Sequence, residues 1–284
     1  MPSNGGHFNP SPESSFLLDL LCVCVSRWGG NRARTETAPL ATPLTTVHPL
    51  VILKTGTKPA RLASQAGDYE DWILEGMGWP AADALIVAGH QGEAPPPPSH
   101  IGGAVITGSA AMVTDGQPWV ETAAGWLRAV AGTGRPVLGI CYGHQLLAHA
   151  LGGAAGWNPA GVEVGVVDID LLAAAEGDPL LGGLPARFPA CVSHRQSARV
   201  LPPGATLLAR SAREAHHAFR VGNAWGLQFH PEFPPAVMPA YVEGFRPALE
   251  AEGRDPADLV ASLRPTPESA SLLARFAAIV RTLG

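Results

Sequence analysis

The fold is decided by the stretch Arg135-Pro-Val-Leu-Gly-Ile-Cys-Tyr-Gly-His-Gln-Leu-Leu-Ala-His-Ala-Leu-Gly-Gly153. Residues 137–140 form a short apolar run, which favours a buried parallel strand. Residues 145–151 are strong helix formers with an apolar face, and the two glycines that follow predict the end of that helix. The stretch therefore predicts a strand that turns directly into a helix.

A cysteine lies at this turn, in the segment Gly139-Ile-Cys-Tyr-Gly143. Glycines two residues before and after a nucleophile are typical of a sharp strand-to-helix turn, because only glycine leaves room for it. The turn would hold Cys141 in strained backbone geometry at a helix N-terminus, where the helix dipole favours the reactive thiolate. The alternative is that Cys141 is a small buried hydrophobic residue, as most free cysteines are.

The composition is that of a globular protein. Of 284 residues, 46% are hydrophobic and 15% are charged, and the formal net charge is −5. This negative net charge, without a basic stripe, argues against nucleic-acid binding.

The four cysteines contain no C-x-x-C pair, so we expect neither a structural zinc site nor a disulfide framework. No apolar run is long enough to span a membrane and no signal peptide is recognisable, so we expect a cytoplasmic protein.

Two regions of the chain differ in pattern. Residues 1–48 are rich in Pro, Ser, Thr, Gly and Asn without sustained periodicity. They predict a poorly ordered N-terminal extension with a short helix at residues 15–25. Residues 49–284 predict a single α/β domain that ends in C-terminal helices.

Strands alternate with helices in the first half of this domain, which predicts a parallel sheet with right-handed crossovers. The predicted strands are 50–53, 83–88, 103–106 and 137–140, and the predicted helices are 68–77 and 117–131. Later strands make the sheet mixed, at 162–171, 187–192 and 205–210 and in a hairpin of 218–221 with 225–230. Helices are predicted at 237–252, 256–263 and 269–282.

Candidate partners of Cys141 follow the hairpin, in Gln228-Phe-His-Pro-Glu-Phe233. Side chains two apart in an extended chain share a face, and Pro231 favours extended geometry at His230. A cysteine nucleophile needs a base, and the base needs a group that orients it and supports its charge. We therefore predict a triad of Cys141, His230 and Glu232. The alternative is that His230 is a histidine at the end of a strand and Glu232 is a solvated carboxylate beside it.

An oxyanion hole is the third requirement of such a site. One donor would be the backbone N–H of Tyr142, the residue after the nucleophile. Another would come from Thr107-Gly108-Ser109, the loop after the preceding strand, at the edge of an α/β sheet where ligands bind. We therefore predict Gly108, Ser109 and Tyr142 as the oxyanion hole. The alternative is that Thr107-Gly108-Ser109 forms an ordinary turn.

Gly139-Ile-Cys-Tyr-Gly-His-Gln145 together with His230-Pro-Glu232 resembles the class I glutamine amidotransferases. The resemblance covers about residues 49–240. Residues 193–197 and 224–232 resemble stand-alone members that are like the amidotransferase domain of GMP synthase. The resemblance implies a three-layer α/β sandwich of flavodoxin-like type with a mostly parallel central sheet, a Cys-His-Glu triad and no cofactor.

The resemblance also implies a reaction, in which the side-chain amide of glutamine is hydrolysed through a Cys thioester to glutamate and ammonia. It places Gln145, Ser193 and His194 at the amino-acid end of the substrate, and it implies no metal ligand. The family often has S-H-G-D where this chain has Ser193-His-Arg-Gln196.

Substrate and partner stay open at this point. We find no S-G-G-x-D-S phosphate loop of a synthase domain and no Walker loop, so any acceptor of ammonia would be a separate synthase chain. Without an acceptor, the same triad would suit a γ-glutamyl peptidase or hydrolase that acts on γ-glutamyl conjugates. A third hypothesis is a non-catalytic regulatory subunit, but the intact triad argues against it.

Overall fold

Short apolar segments build the sheets of this protein. The computed structural model describes residues 48–284, apart from the side chain of Pro235. The predicted extension at residues 1–48, with its short helix at 15–25, lies outside the described residues except for His48. The strands are β1 (Leu50–Leu53), β2 (Ala84–Val87), β3 (Gly103–Ile106), β4 (Val137–Ile140), β5 (Ala154–Trp157), β6 (Glu163–Leu171), β7 (Arg187–His194), β8 (Gln196–Val200), β9 (Thr206–Arg210), β10 (Ala218–Val221) and β11 (Ala224–Leu227).

Nine of these strands form one sheet, in the order β2-β1-β3-β4-β11-β10-β9-β6-β7. The five strands from β2 to β11 run parallel to one another, while the remaining four pair antiparallel. Strands β5 and β8 form a separate antiparallel pair, which the sequence analysis missed. A short strand such as Ala154–Trp157 shows no alternation of buried and exposed positions, so periodicity could not reveal it.

Helices cover both faces of the sheet. They are α1 (Tyr69–Met77), α2 (Pro118–Gly132), α3 (Tyr142–Ala150), α4 (Met238–Gly244), α5 (Arg246–Ala251), α6 (Pro256–Ala261) and α7 (Pro267–Leu283). Leu50 and Ile52 of β1 pack in one cluster with α1 and α7, whereas Val51 and Leu53 pack in another with α2 and α3. Alternate side chains of one strand thus face opposite helical layers, which confirms the predicted three-layer α/β fold.

Two predicted elements end earlier than expected. The strand predicted at 225–230 ends at Leu227, because the chain bends at residues 228–229 and His230 then pairs with Cys191 of β7 in an isolated bridge. The helix predicted at 237–252 is broken at Phe245, where Pro247 lies in the first turn of a new helix. Within residues 48–284, no helix is both long and apolar enough to cross a membrane.

Candidate active site

The turn between β4 and α3 holds Cys141 in an unusual backbone conformation. Its φ is 51° and its ψ is −99°, and it is the one non-glycine residue with positive φ in the described part of the chain. A Cβ at Gly139 would overlap the carbonyl of Gly143, and a Cβ at Gly143 would overlap the carbonyl of Ile106. The strained turn predicted from the sequence is therefore present, and neither glycine tolerates a side chain.

The imidazole of His230 is held from several sides. Its Nδ1 lies 2.7 Å from Glu232 Oε1, and the two side chains are 4% and 0% exposed. Its ring stacks on Phe233 with 3.8 Å between centroids, and its backbone N–H donates to the carbonyl of Cys191. These contacts fix the ring and leave Nε2 as the nitrogen available to Cys141.

The sequence analysis reached the pairing of His230 with Glu232 for a partly wrong reason. It placed both residues on one strand, but residues 231–232 form a turn. The turn, and not the alternation of a strand, returns the carboxylate to the imidazole. Because the backbone N–H of Cys141 donates to the carbonyl of Leu227 at 2.8 Å, the nucleophile and the start of this segment are tied together.

The charge of His230 is set by two opposing effects. Burial lowers its pKa, but the charges of Glu232 and Cys141 and hydrogen bonds to both outweigh burial and raise the pKa to about 10. The imidazole is therefore protonated at neutral pH in the substrate-free protein. A protonated imidazole beside the sulfur favours the thiolate, which is the nucleophilic form.

The loop predicted as oxyanion hole lies directly against both groups. A Cβ at Gly108 would lie 3.1 Å from His230 Cε1 and 3.9 Å from Cys141 Cβ. The Thr55 hydroxyl braces this loop, since its oxygen lies 2.9 and 3.0 Å from the carbonyl oxygens of Thr107 and Gly108 and its one hydrogen can be donated to either. In the part of the chain that the structure describes, the backbone N–H groups at positions 108, 109 and 142 donate to no other residue. They are available to an oxyanion.

A cavity of about 260 Å³ opens over the sulfur. It is lined by Cys141 and His230, and all three residues predicted to bind substrate also line it: Gln145, Ser193 and His194. The carbonyl oxygen of Ser193 lies 3.8 Å from Cys141 Sγ. The cavity thus brings together Cys141 and His230, the oxyanion candidates Ser109 and Tyr142, and the three predicted substrate residues, whereas Gly108 is not among its lining residues.

The side chain of Gln145 is hydrogen-bonded within the protein, whereas the resemblance implied that it would contact the substrate. Its Nε2 donates to the carbonyl of Gln196 at 2.8 Å and to Gln228 Oε1 at 3.2 Å. Both N–H groups of the amide are therefore already used within the protein. The sequence analysis gave Gln228 no role, although it precedes His230 by two residues and such spacing places side chains on one face of an extended chain.

Behind the cavity wall, His194 belongs to a buried cluster with Glu163 and His217. Glu163 Oε2 accepts a hydrogen bond from the Nε2 of each histidine at 2.9 Å, and its Oε1 accepts from the Ser211 hydroxyl at 2.6 Å. The three could serve as metal ligands by proximity, since their ligand atoms lie within 4.8 Å of one another. The hydrogen bonds already satisfy these atoms, so we read the cluster as structural support for His194.

This cluster predicts a pH-dependent contribution to stability. Burial raises the pKa of Glu163, but hydrogen bonds from His194 and His217 and their charges outweigh burial and lower it well below its usual 4.5. A lowered carboxyl pKa contributes stability above the unfolded value, which is lost as the pH falls below it. Glu163→Gln should therefore lower the free energy of unfolding by about 3 kcal/mol near pH 7.

The difference between wild type and Glu163→Gln should shrink as the pH falls from 4.5, because a protonated Glu163 resembles glutamine. Denaturant unfolding of both proteins between pH 3 and pH 8 measures it. A difference that stays constant over this range would show that the carboxylate charge is not what the cluster requires.

Comparison with known proteins identifies relatives of this chain. The sequence model of the family described as glutamine amidotransferase class-I matches residues 95–245. The glutamine-hydrolyzing GMP synthase of Thermomicrobium roseum is 42% identical over 136 residues, which are 46% of this chain and 23% of that protein. One subunit of the glutamine-hydrolyzing GMP synthase of Thermococcus kodakarensis is 38% identical over 99 residues, which are 34% of this chain and 50% of that protein.

Among solved structures, a glutamine amidotransferase from Thermotoga maritima is similar with a TM-score of 0.63 and 21% identity. The similarity covers 83% of this chain and 98% of that one. At 21% identity, the structural similarity shows the fold alone. The match spans half or less of the length of the two GMP synthase relatives.

Proposed function

The chain belongs to the class-I glutamine amidotransferase family, and from this premise we propose that it hydrolyses the side-chain amide of glutamine to glutamate and ammonia. The observation that carries the proposal is the position of Cys141. It lies in a strained turn under an open cavity, beside an imidazole whose Nδ1 is held by a buried carboxylate. A nucleophile with its base and orienting group would account for that combination, which supports the proposal.

The first half of the reaction forms the thioester. The Cys141 thiolate attacks the amide carbon, and a C–S bond forms while the carbonyl oxygen gains negative charge. The free N–H groups of the loop at 108–109 and of Tyr142 stabilise that oxygen. The tetrahedral species collapses as the C–N bond breaks, and His230 gives its proton to the leaving nitrogen, which departs as ammonia.

The second half releases the product. The now neutral His230 takes a proton from water, and the resulting hydroxide adds to the thioester carbon. The C–S bond breaks, glutamate leaves and the thiolate is restored beside a protonated imidazole. Glu232 keeps the same tautomer and orientation of the ring through both halves. The triad supplies every proton transfer, so the proposed reaction uses no cofactor.

The partner and location are part of the same proposal. The similarity to one subunit of a GMP synthase supports a separate synthase chain that accepts the ammonia. A reactive thiolate is preserved in a reducing compartment, which supports a cytoplasmic location.

A second candidate function is the hydrolysis of γ-glutamyl conjugates, which the charge of the cavity wall favours. Arg61 and Arg195 line the cavity, and no carboxylate is found among its described lining residues. Arg195 lies over the ring of Phe245 at 4.9 Å, where its charge stays available to an anion. A conjugate with an additional carboxylate would complement this wall better than glutamine does.

Trapping the covalent intermediate tests both candidates. The protein is mixed with glutamine or with γ-glutamylglycine, quenched in acid, and digested for mass spectrometry. We expect a γ-glutamyl adduct on the peptide that contains Cys141. Cys191 serves as an internal control, because burial raises its pKa to about 11 and keeps it unreactive. An adduct from the conjugate alone would favour the second candidate. No adduct from either compound, together with no ammonia from glutamine and no glycine from the conjugate, would refute both.

A further inference from the structure

The side chain of Gln228 lies against the nucleophile without a part in the reaction above. It is fully buried, and its Nε2 lies 3.6 Å from Cys141 Sγ. We propose that Gln228 is a catalytic residue whose side-chain N–H donates to the Cys141 sulfur and stabilises the thiolate, both before attack and as the leaving group from the thioester. This inference rests on the proposed function, in which Cys141 is the nucleophile.

The orientation of the Gln228 amide follows from its partners. The oxygen and nitrogen of an amide are distinguished by their hydrogen bonds. The backbone carbonyl of Gln196 can only accept, so the Gln145 atom 2.8 Å away must be Nε2. The same Nε2 lies 3.2 Å from Gln228, so the Gln228 atom there must be the acceptor, Oε1. The nitrogen of Gln228 is therefore the atom that faces the sulfur.

The far end of this chain of hydrogen bonds is anchored in the buried cluster. The carbonyl of Gln196 also lies 3.1 Å from His194 Nδ1, and His194 Nε2 lies 2.9 Å from Glu163. The orientation of Gln228 is thus fixed by Gln145, whose own partner Gln196 is tied through His194 to the buried carboxylate of Glu163.

The chemistry gives this donor a purpose that His230 cannot fulfil alone. Hydrogen bonds to an ionised acceptor are about twice as strong as those between neutral groups. His230 gives its proton to the leaving nitrogen and later takes another from the attacking water, so the charge of the imidazole changes twice during the reaction. The amide of Gln228 carries no titrating proton, and it remains a donor to the sulfur throughout.

Other charged or titratable side chains line the cavity over the sulfur, and they include Arg61, His194 and Arg195. Besides His230 and Glu232, the hydroxyl pair of Tyr69 and Tyr241 lies on the same side of the cavity, with 2.8 Å between the oxygens. Burial and other contributions, including the charge of Cys141, raise the pKa of both tyrosines far above neutrality, so both stay protonated. In residues 48–284, Gln228 is the uncharged side chain that places an N–H within hydrogen-bond distance of Cys141 Sγ.

The test measures the pH midpoint of Cys141 alkylation by iodoacetamide, followed on its own peptide by mass spectrometry. Gln228→Met keeps the length of the side chain and removes the donor. We expect it to raise the midpoint by about one pH unit, which is a tenfold loss of thiolate, and to lower kcat/KM for glutamine by about 10-fold to 100-fold. Gln228→Glu should raise the midpoint further, because a carboxylate then faces the sulfur.

Gln145→Glu tests the orientation. A carboxylate at position 145 can only accept, so Gln228 should rotate its nitrogen toward it and its oxygen toward the sulfur, and the midpoint should again rise. Gln91→Glu is the matched control, since it introduces the same charge at an exposed position outside the cavity. It should leave both the midpoint and kcat/KM at the wild-type values.

A folded Gln228→Met protein with an unchanged midpoint would overturn the inference. Thermal unfolding establishes that each variant is folded, and if Gln228→Met is not, an unchanged midpoint in Gln228→Glu has the same consequence. Alkylation needs no substrate, so the two proposals fail separately. A shifted midpoint in a protein that does not hydrolyse glutamine would refute the proposed function and support the role of Gln228.

Discussion

Cys141→Ala should reduce the release of ammonia from glutamine by about ten-thousand-fold or more, while the protein stays folded. Without the sulfur there is no thioester, and the remaining oxyanion donors and His230 can only assist a direct attack of water. Alanine keeps the Cβ of the native residue, so the turn between β4 and α3 retains its geometry. The rate of ammonia release and the thermal midpoint measure the two halves of this prediction.

Cys191→Ala is the matched control for that experiment. Cys191 is also a buried free cysteine, and its backbone carbonyl, which alanine retains, accepts the hydrogen bond from the His230 N–H. Activity should therefore stay within a few-fold of wild type. Equal rates from wild type and Cys141→Ala would exclude Cys141 as the nucleophile, and with it the proposed mechanism.

Gly143→Ala should destabilise the protein by about 3 kcal/mol and lower activity by about 100-fold. The new Cβ would overlap the backbone carbonyl of Ile106, and a backbone atom has no alternative rotamer to adopt. Relief requires α3 to move away from β3, which carries Cys141 away from the loop at 108–109. Denaturant unfolding and kcat/KM for glutamine report the two effects.

Gly125→Ala in α2 is the control for that substitution. A Cβ at Gly125 would meet only the end of the Arg128 side chain, at 4.0 Å. Alanine is the better helix former, so this variant should be more stable by about 1 kcal/mol and fully active. If Gly143→Ala were as stable and as active as Gly125→Ala, the turn would not depend on the close approach of α3 and β3.

Sequence analysis identified the parts of the site that are encoded by residues close together in the chain. The turn around Cys141 is encoded by two glycines within five residues, and a buried parallel strand precedes it. His230 and Glu232 were identified together because they are two residues apart, although a turn brings them into contact and a strand does not. Helix boundaries were predicted closely where a proline or a capping residue marks them, as Asp68 does at the start of α1.

Patterns among neighbouring residues were therefore enough to predict the fold class, the turn at Cys141 and the pairing of His230 with Glu232. The tertiary structure alone decided which groups support them. Glu163 meets His194 through the register of β6 and β7, and Gln145 meets Gln228 across 83 residues. Such contacts arise from the packing of distant segments, which leaves no periodic pattern in the sequence, and hydrogen bonds of this kind fix the direction of an amide only once both partners are in place.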